Sequence, residues 1–431
     1  MNTRSNSNAA ALHKSPLALT PFEERLFADL PEGEVAQALR ERGLPSRRTE
    51  TWRWSDLRAA ERTPRAASVA FASDEGSSPI TVDGATVLTL KNGRPQAPQG
   101  VEPKPIVKSG EKIGSTYVVA DGLVLSFYNQ GRTKDEIGRV GRGLELAALA
   151  ATGPLVSISI LPGFAHKLLL RRFSDGEGQH QDNVFVTLGE GAQGTLIETH
   201  EVTGSPFINS RTEIELDAQS SLDRVIVQEA SPDAVVIHSS LLRFDEKLGD
   251  EIVALNQVTL ALGAKLARHE TRVNHLGESK AQIDALYRLK DNLHTDITTH
   301  ITFSGEDAQT DQLIKGIAGD RSRGVFQGKF LVERGAQRTD AQMAHHALLL
   351  SKGAQVNAKP ELEIYADDVE CAHGNTAGAL DPEALFYMRQ RGVPEGEARA
   401  LLIEAFAGEV LGRVPDEAIR SQLEEILRRA G

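Results

Sequence analysis

Residues 183–202 read NVFVTLGEGAQGTLIETHEV, two short segments rich in Val, Leu, Ile and Thr on either side of a turn of small residues. Apolar and polar residues alternate within each segment, and a period of two is typical of a β-strand. Comparable segments continue from about Leu155 to Thr376, with turn residues roughly every eight to twelve positions. The pattern therefore predicts a long series of short strands in the middle of the chain.

One turn phrase recurs between these segments. It reads Gly-Ala-Gln, or a close variant, at 191–193, 217–219, 263–265, 307–309, 335–337 and 353–355. A β-sandwich also contains many short strands, but a solenoid has equivalent corners on successive coils, where small residues are favoured. The recurrence favours a mainly β fold whose core is a right-handed parallel β-helix (a solenoid), flanked by N-terminal and C-terminal helical regions.

Helical signals lie on both sides of this core. Apolar spacing predicts helices in the first third of the chain, and Asp381 followed by Pro382 is a typical N-cap before a C-terminal helical run. We therefore expect four regions: a disordered tail over 1–20, a helical and mixed region over 21–150, the β-helix core over 151–376 and a helical domain over 377–431.

The composition of the chain argues against several classes of function and cellular location. The chain of 431 residues has a formal net charge of −12, which argues against a nucleic-acid partner because phosphate backbones select basic surfaces. Its single cysteine cannot form an intramolecular disulfide and fits a reducing compartment. The N-terminal residues lack the apolar segment of a secretory signal, and no apolar run approaches the roughly 18 residues that cross a bilayer. We expect a cytoplasmic protein with no membrane partner.

Several enzyme signatures are missing. The sequence contains neither a P-loop, as an ATPase would, nor a G-x-S-x-G nucleophile elbow. The glycine-rich run GRVGRG at 138–143 lacks the flanking strand–helix–strand pattern of a dinucleotide site. Asp367 and Asp368 are adjacent, so on a strand they point to opposite faces and cannot act as a carboxylate pair. His294 and His300 share a strand face, but we expect surface positions for both.

The single cysteine, Cys371, lies two residues before His373, and Gly374 follows directly. On an extended strand, residues two apart point to the same face, so the thiol and the imidazole project side by side. These two groups form half of a soft metal site. An unpaired cysteine is more often a small buried hydrophobe. A functional site here needs further donors from another chain, since this chain has no second cysteine.

The surrounding residues carry a resemblance to a known family. The runs PELEIYADDVECAHG at 360–374 and LDPEALFYMRQRG at 380–392 resemble the C-terminal signature of the SufD type of the SufB/SufD family, scaffold subunits of the SUF iron–sulfur cluster assembly machinery. SRGVFQGK at 322–329 and AQRTDA at 336–341 are similar to its central signature, and Pro45 with ETWRW at 50–54 to its N-terminal landmark. Met388 stands where SufB-type subunits carry a cysteine, which favours the SufD type.

The resemblance implies a β-helix and a non-catalytic scaffold role. It implies that His373 faces a SufB-like paralogue and helps to hold a transient iron–sulfur cluster together with a cysteine of that partner, with Cys371 as a second candidate ligand. The bottom-up argument agrees, because clusters ordinarily bind several thiolates and one cysteine is too few. A family association with reduced flavin exists, but the sequence contains no flavin signature.

The resemblance also implies a second partner, a SufC-like ATPase of the ABC type that docks on the C-terminal helices. The residues expected there are Phe386, Tyr387, Arg391, Gly392, Leu402 and Phe406. The alternative for this segment is simple packing onto the end of the solenoid. Because an exposed strand edge favours self-pairing, a homodimer of the isolated chain is left open as an alternative to the heterodimer. Two other functions are left open: a polysaccharide-active solenoid enzyme and a purely structural adaptor.

Overall fold

The computed structural model describes residues 18–28, 30, 34–62, 78–108, 111–128, 145–244 and 253–431. Residues 1–17 of the tail predicted over 1–20 and the glycine-rich run at 138–143 lie outside the described residues. None of the described helices combines the length and apolarity that a bilayer crossing requires.

Short helices flank a long run of strands. The helices are α1 Pro21–Phe27, α2 Glu34–Arg42, α3 Leu57–Arg62, α4 Glu145–Ala150, α5 Pro382–Gln390, α6 Glu395–Leu411 and α7 Glu417–Arg429, with a 3-10 turn at Glu50–Trp52. The strands are β1 Thr86–Lys91, β2 Arg94–Pro95, β3 Lys104–Lys108, β4 Glu111–Ala120, β5 Leu123–Tyr128, β6 Leu155–Ile160, β7 Ala165–Ser174, β8 Glu177–Leu188, β9 Gln193–Val202, β10 Ser205–Leu216, β11 Ser221–Ala230, β12 Val235–Phe244, β13 Val253–Gly263, β14 Leu266–His275, β15 Ser279–Leu289, β16 His294–Phe303, β17 Ala308–Ala318, β18 Arg323–Val332, β19 Thr339–Leu349, β20 Gln355–Ile364 and β21 Val369–Gly378.

From β6 onward the strands alternate between two sheets, so each pair of consecutive strands makes one coil. Sheet A has the order β2-β1-β7-β9-β11-β13-β15-β17-β19-β21, and sheet B has the order β20-β18-β16-β14-β12-β10-β8-β6-β5-β4-β3. From β6 onward every neighbouring pair is parallel. The predicted β-solenoid with helical flanks is confirmed, with about seven turns.

The recurring turn phrase lies at the corners where the chain passes between the sheets. Its alanine is buried in five of the six occurrences. At the corner between β13 and β14, Ala264 has φ of 72° beside Gly263 at 83°, and at the corner before β17 Asp307 has φ of 62°. These tight corners place a methyl group under the coil above, which explains why small residues recur there. The uneven spacing arises because the phrase occupies corners on both edges of the solenoid.

Both outer faces of the solenoid are covered along part of their length. The helices α6 and α7 lie on sheet A, where Ile403, Val410 and Leu423 join an apolar cluster with strand residues such as Val227 and Leu260. The alternative raised for this segment, packing on the end of the solenoid, does not describe α6 and α7, because they contact the outer face of sheet A. The outward-facing residues of sheet A are themselves apolar, and a parallel sheet with such runs is buried on both faces.

The N-terminal helices cover the outer face of sheet B. Trp52 is buried, and the guanidinium of Arg268 on β14 lies 4.2 Å from the centre of its ring. Arg268 also donates to the Thr51 carbonyl oxygen at 2.9 Å. The tryptophan segment thus packs against the solenoid.

The space between the sheets contains buried ion pairs as well as apolar residues. Arg172 on β7 donates to Asp182 on β8 at 2.8 Å and to Glu198 on β9 at 2.5 Å. Arg224 on β11 donates to the other oxygen of Glu198 at 2.6 Å. Burial opposes ionisation of Glu198, but the two guanidiniums prevail and lower its pKa to about 2. This network joins the two sheets of the early coils.

The predicted domain boundaries stay a prediction. Strands β1 to β5, which fall within the predicted N-terminal region over 21–150, continue both sheets, since β1 pairs with β7 and β5 pairs with β6. Before the first parallel coils, the chain is described again from residue 145, and Glu145–Ala150 is helical.

Candidate functional site

The last coil of the solenoid is open on one side. β20 and β21 stand at the ends of their sheets, so each has a neighbouring strand on one edge only. Along β21, every residue from Ala372 to Gly378 is exposed. The free edge carries backbone N–H and C=O groups that a further strand would satisfy. Among the described coils, this is the point where the stacking pattern of the solenoid stops.

Cys371 and His373 lie on this terminal strand and share one face of it. Their register partners on β19 are Ala341 and Met343, both buried in the core between the sheets. The thiol and the imidazole therefore occupy inward-facing positions, as the sequence predicts for residues two apart. Cys371 is half-buried against the core, whereas His373 is exposed because no coil covers it.

The environment of Cys371 favours its protonated form. Burial raises the pKa of the Cys371 thiol, and the nearby Asp340 carboxylate raises it further, while a hydrogen bond from the Ala341 backbone acts in the opposite direction. A metal ligand must be the thiolate. In the isolated chain, the exposed imidazole of His373 is therefore the more accessible donor of the two.

A buried histidine on the neighbouring strand supports β21. His345 on β19 is 0% exposed, and its Nδ1 lies 2.6 Å from Asn375 Oδ1 on β21. Its ring stacks on Phe326 with centroids 4.9 Å apart. Burial lowers the pKa of His345 to about 4, so the ring is neutral at neutral pH. The adjacent pair His345-His346 was a usable signal, because alternation on a strand places one of the two inside.

The other residues singled out by the sequence form no joint site. Asp367 and Asp368 precede β21 and are both exposed. His294 is not a surface residue as expected, since burial lowers its pKa to about 4 and its Nε2 lies 3.0 Å from Ser55 Oγ. His300 is half-buried next to Arg272. Within the described part of the chain, no group of three or more His, Cys, Asp and Glu residues is arranged to hold a metal ion.

The six residues predicted for partner binding fall into two groups. Phe386 and Tyr387 on α5 are 64% and 57% exposed, and the side chain of Arg391 packs over the Tyr387 ring at 4.5 Å. Gly392, which ends the helix at φ of 88°, is exposed as well. Leu402 and Phe406 on α6 are half-buried, and Phe406 packs on the apolar cluster of sheet A.

Helix α5 forms an exposed apolar surface. It buries none of its own residues, although Asp381 caps its N-terminus and Pro382 starts it. Among the described residues, none covers the face of this helix that leaves two aromatic side chains in solvent. We refer to Phe386, Tyr387 and Arg391 as the aromatic patch.

A model of the family described as "SUF system FeS cluster assembly, SufBD core domain" matches residues 172–406, more than half of the chain. The iron–sulfur cluster assembly protein SufD of Escherichia coli is 34% identical over 277 residues, which cover 62% of this chain and 63% of that protein. A SufBD family protein of Synechocystis is 33% identical over 57% of this chain and 55% of its own length. The matched part of the chain thus spans less than two thirds of either relative.

A third relative is matched over most of its length. A SufBD family protein of Mycobacterium bovis is 26% identical over 393 residues, 88% of this chain and 87% of that protein. The family match runs from the end of β7 to α6 and so includes the coils, the terminal strand β21 and the aromatic patch.

Proposed function

Because this chain belongs to the SufBD family of the SUF system for iron–sulfur cluster assembly, we propose that it is a non-catalytic scaffold subunit on which a cluster is built together with partner subunits. The observation that carries the proposal is the open last coil, where inward-facing Cys371 and His373 lie on a strand with one free edge. The cluster is the cargo of this scaffold. It is passed on and does not stay as a resident group.

A SufB-like paralogue is the partner we propose for the free edges of β20 and β21. Such a paralogue has the same kind of coils, so its own terminal strands can continue both sheets and cover the inward-facing residues. His373 would then lie between the two subunits, where its imidazole adds one donor to thiolates supplied by the partner. Clusters need several such ligands, which is why the site is shared.

A SufC-like ATPase is the partner we propose for the aromatic patch. Aromatic and arginine side chains are the residues that most often anchor a protein interface. Phe386, Tyr387 and Arg391 are all exposed and lie on one short helix. Phe406 contributes indirectly by holding α6 against sheet A, and the half-buried Leu402 lies on the same helix.

Two variants, one at each proposed interface, test the two partners separately. Ala377→Lys places a charge at an exposed inward-facing position of β21, whose register partner Ala347 is buried. In the assembly that position becomes desolvated, so we expect the variant to lose the SufB-like partner and keep the ATPase. Phe386→Asp should lose the ATPase and keep the SufB-like partner. Native mass spectrometry of the co-expressed subunits shows which partner each variant retains.

Each variant is the control for the other, because both change exposed residues and neither should unfold the chain. If Ala377→Lys retains a full set of subunits, the free edge is not the interface and the proposal of a shared site there is wrong. If Phe386→Asp retains the ATPase, the aromatic patch has another role.

A further inference from the structure

A column of outward-facing residues crosses sheet A beneath helix α6 and changes character along its length. In register order it consists of Leu260 on β13, Leu286 on β15, Lys315 on β17, His346 on β19 and Thr376 on β21. The two leucines belong to the apolar cluster under the C-terminal helices. The next three positions are polar and lead to the terminal strand that carries His373.

Lys315 connects this column to helix α6 through three contacts. Its Nζ lies 2.6 Å from the carboxylate of Glu409 and donates to the Phe406 carbonyl oxygen at 3.0 Å. The same atom lies 4.2 Å from the centre of the Phe406 ring. The side chain of Lys315 is only 2% exposed. All three contacts are made to a single turn of the helix.

Packing alone does not explain a buried lysine here. A lysine is almost never fully buried unless it is paired, and replacing a buried ion pair by apolar residues is often neutral or stabilising. The leucines one and two coils earlier in the same column demonstrate that an apolar side chain fits under the helices. The amine therefore has a use other than filling space.

His346 continues the connection to the edge strand. Its Nδ1 lies 2.6 Å from Thr376 Oγ1 on β21. Burial lowers the pKa of His346, and the Lys315 ammonium lowers it further while Glu409 acts in the opposite direction. Thr376 lies three residues from His373 on the same strand. Because Lys315 and His346 are register neighbours on adjacent strands, a series of polar groups leads from α6 to the strand of the candidate site.

We propose that Lys315 is a positioning residue that couples the place of helix α6 to the terminal strand β21, through His346 and Thr376. The proposal rests on the proposed function, in which the C-terminal helices bind an ATPase and β21 holds part of the cluster site. A shift of α6 moves the Glu409 and Phe406 contacts of Lys315. That shift reaches β21 along the column without passing through the interior of the solenoid.

The test compares Lys315→Leu with a matched control in the complex of this chain with SufB-like and SufC-like subunits. The control is Lys167→Met, because Lys167 on β7 also forms an ion pair with the helical region, to Asp416 at 3.3 Å, but outside this column. Two quantities are measured on each complex: the rate of ATP hydrolysis and the acid-labile sulfide per complex. Hydrogen exchange of the peptide containing residues 369–378 is recorded with and without ATP.

For Lys315→Leu we expect ATP hydrolysis within about twofold of wild type, a loss of labile sulfide of at least about threefold, and no ATP-dependent change of exchange in β21. Lys167→Met should match wild type in all three. Full labile sulfide in Lys315→Leu would overturn the coupling. A parallel loss of ATP hydrolysis would also overturn it, because that result assigns Lys315 to docking.

A second variant keeps the proposal testable if Lys315→Leu fails to fold. Glu409→Gln weakens the same contact from a carboxylate whose side chain is 64% exposed, and we expect the same separation of ATP hydrolysis from labile sulfide. Unchanged labile sulfide in that variant would count against the coupling. If the wild-type complex contains no labile sulfide, the proposed function itself fails, independently of either variant.

Discussion

In the early coils the inward-facing Glu198 and Arg224 are sealed between the two sheets, whereas in the last coil the inward-facing His373 is open to solvent. The backbone pattern is the same in both places, since each strand pairs in parallel with the strand one coil earlier. The two places differ in what covers the inward-facing residues: the early coils are enclosed by both sheets, and the last coil is not. The early coils bury these inward-facing groups between the sheets, and the last coil leaves the corresponding positions exposed.

This difference separates residues that hold the fold from residues that act at its surface. Glu198 has two arginine partners within its own chain. Cys371 and His373 occupy positions of the same kind but belong to a coil with a free edge. The ion pairs of Glu198 thus join strands of the closed coils, whereas the two exposed or half-buried candidate ligands of the open coil belong to the proposed function.

The largest expected effect lies in the closed coils. Glu198→Gln removes the charge that balances both Arg172 and Arg224, and breaking a buried pair in this way costs about 3–5 kcal/mol of the free energy of unfolding. His373→Ala, at an exposed position of the open coil, should change it by no more than about 0.5 kcal/mol. Urea denaturation of both variants measures the contrast. Equal losses would contradict the distinction between the two regions.

The attachment of the C-terminal helices gives an intermediate effect that depends on pH. Asp284 on β15 accepts from Arg413 at 3.2 Å and from the Leu313 backbone, yet burial dominates and raises its pKa to about 7 from an ordinary value of 3.8. Between pH 3.8 and about pH 7, the Asp284 carboxyl is protonated in the folded state and ionised in the unfolded state. The free energy of unfolding therefore falls as pH rises through this window, by at most about 4 kcal/mol.

Asp284→Asn cannot titrate and should flatten that slope between about pH 4 and pH 7. Asp311→Asn is the matched control, because Asp311 is an exposed carboxylate that contacts the same Arg413 at 3.0 Å. Denaturation curves recorded at several pH values compare the two variants. A slope that survives in Asp284→Asn would exclude Asp284 as its source.

The smallest effect concerns the open coil. Because burial and Asp340 both raise the pKa of Cys371, its thiol should react with iodoacetamide at pH 8 more slowly than it does in the denatured chain. Asp340→Asn removes one of the two causes and should speed the reaction about twofold. Since Cys371 is the single cysteine, mass spectrometry follows it directly. An unchanged rate would contradict the contribution of Asp340.

Much of the fold was predictable from sequence, because strand alternation and the corner phrase are local signals. Ala192, Ala264 and Ala336 are each buried at a corner, as the repeated phrase predicts for a solenoid. The location of the C-terminal helices was not predictable in this way. Their contacts with residues such as Val227 and Leu260 depend on which face of sheet A stays uncovered, and that is decided by residues far away in the sequence.

The candidate site was predictable in part. The spacing of Cys371 and His373 indicates a shared strand face, and the register with Ala341 and Met343 agrees with it. The supporting role of His345 and the column from Lys315 to Thr376 were missed. Both depend on pairing between strands about thirty residues apart, which a pattern with a period of two does not reveal.

The most direct test of the central claim measures iron and acid-labile sulfide in the anaerobically purified complex of this chain with SufB-like and SufC-like subunits. Wild type is compared with His373→Ala and with His166→Ala, a histidine on β7 far along the sheet order from the open coil. We predict that His373→Ala keeps all subunits but holds less than about a third of the wild-type cluster, while His166→Ala holds the full amount. Full cluster content in an assembled His373→Ala complex would contradict the account and leave the chain a structural adaptor.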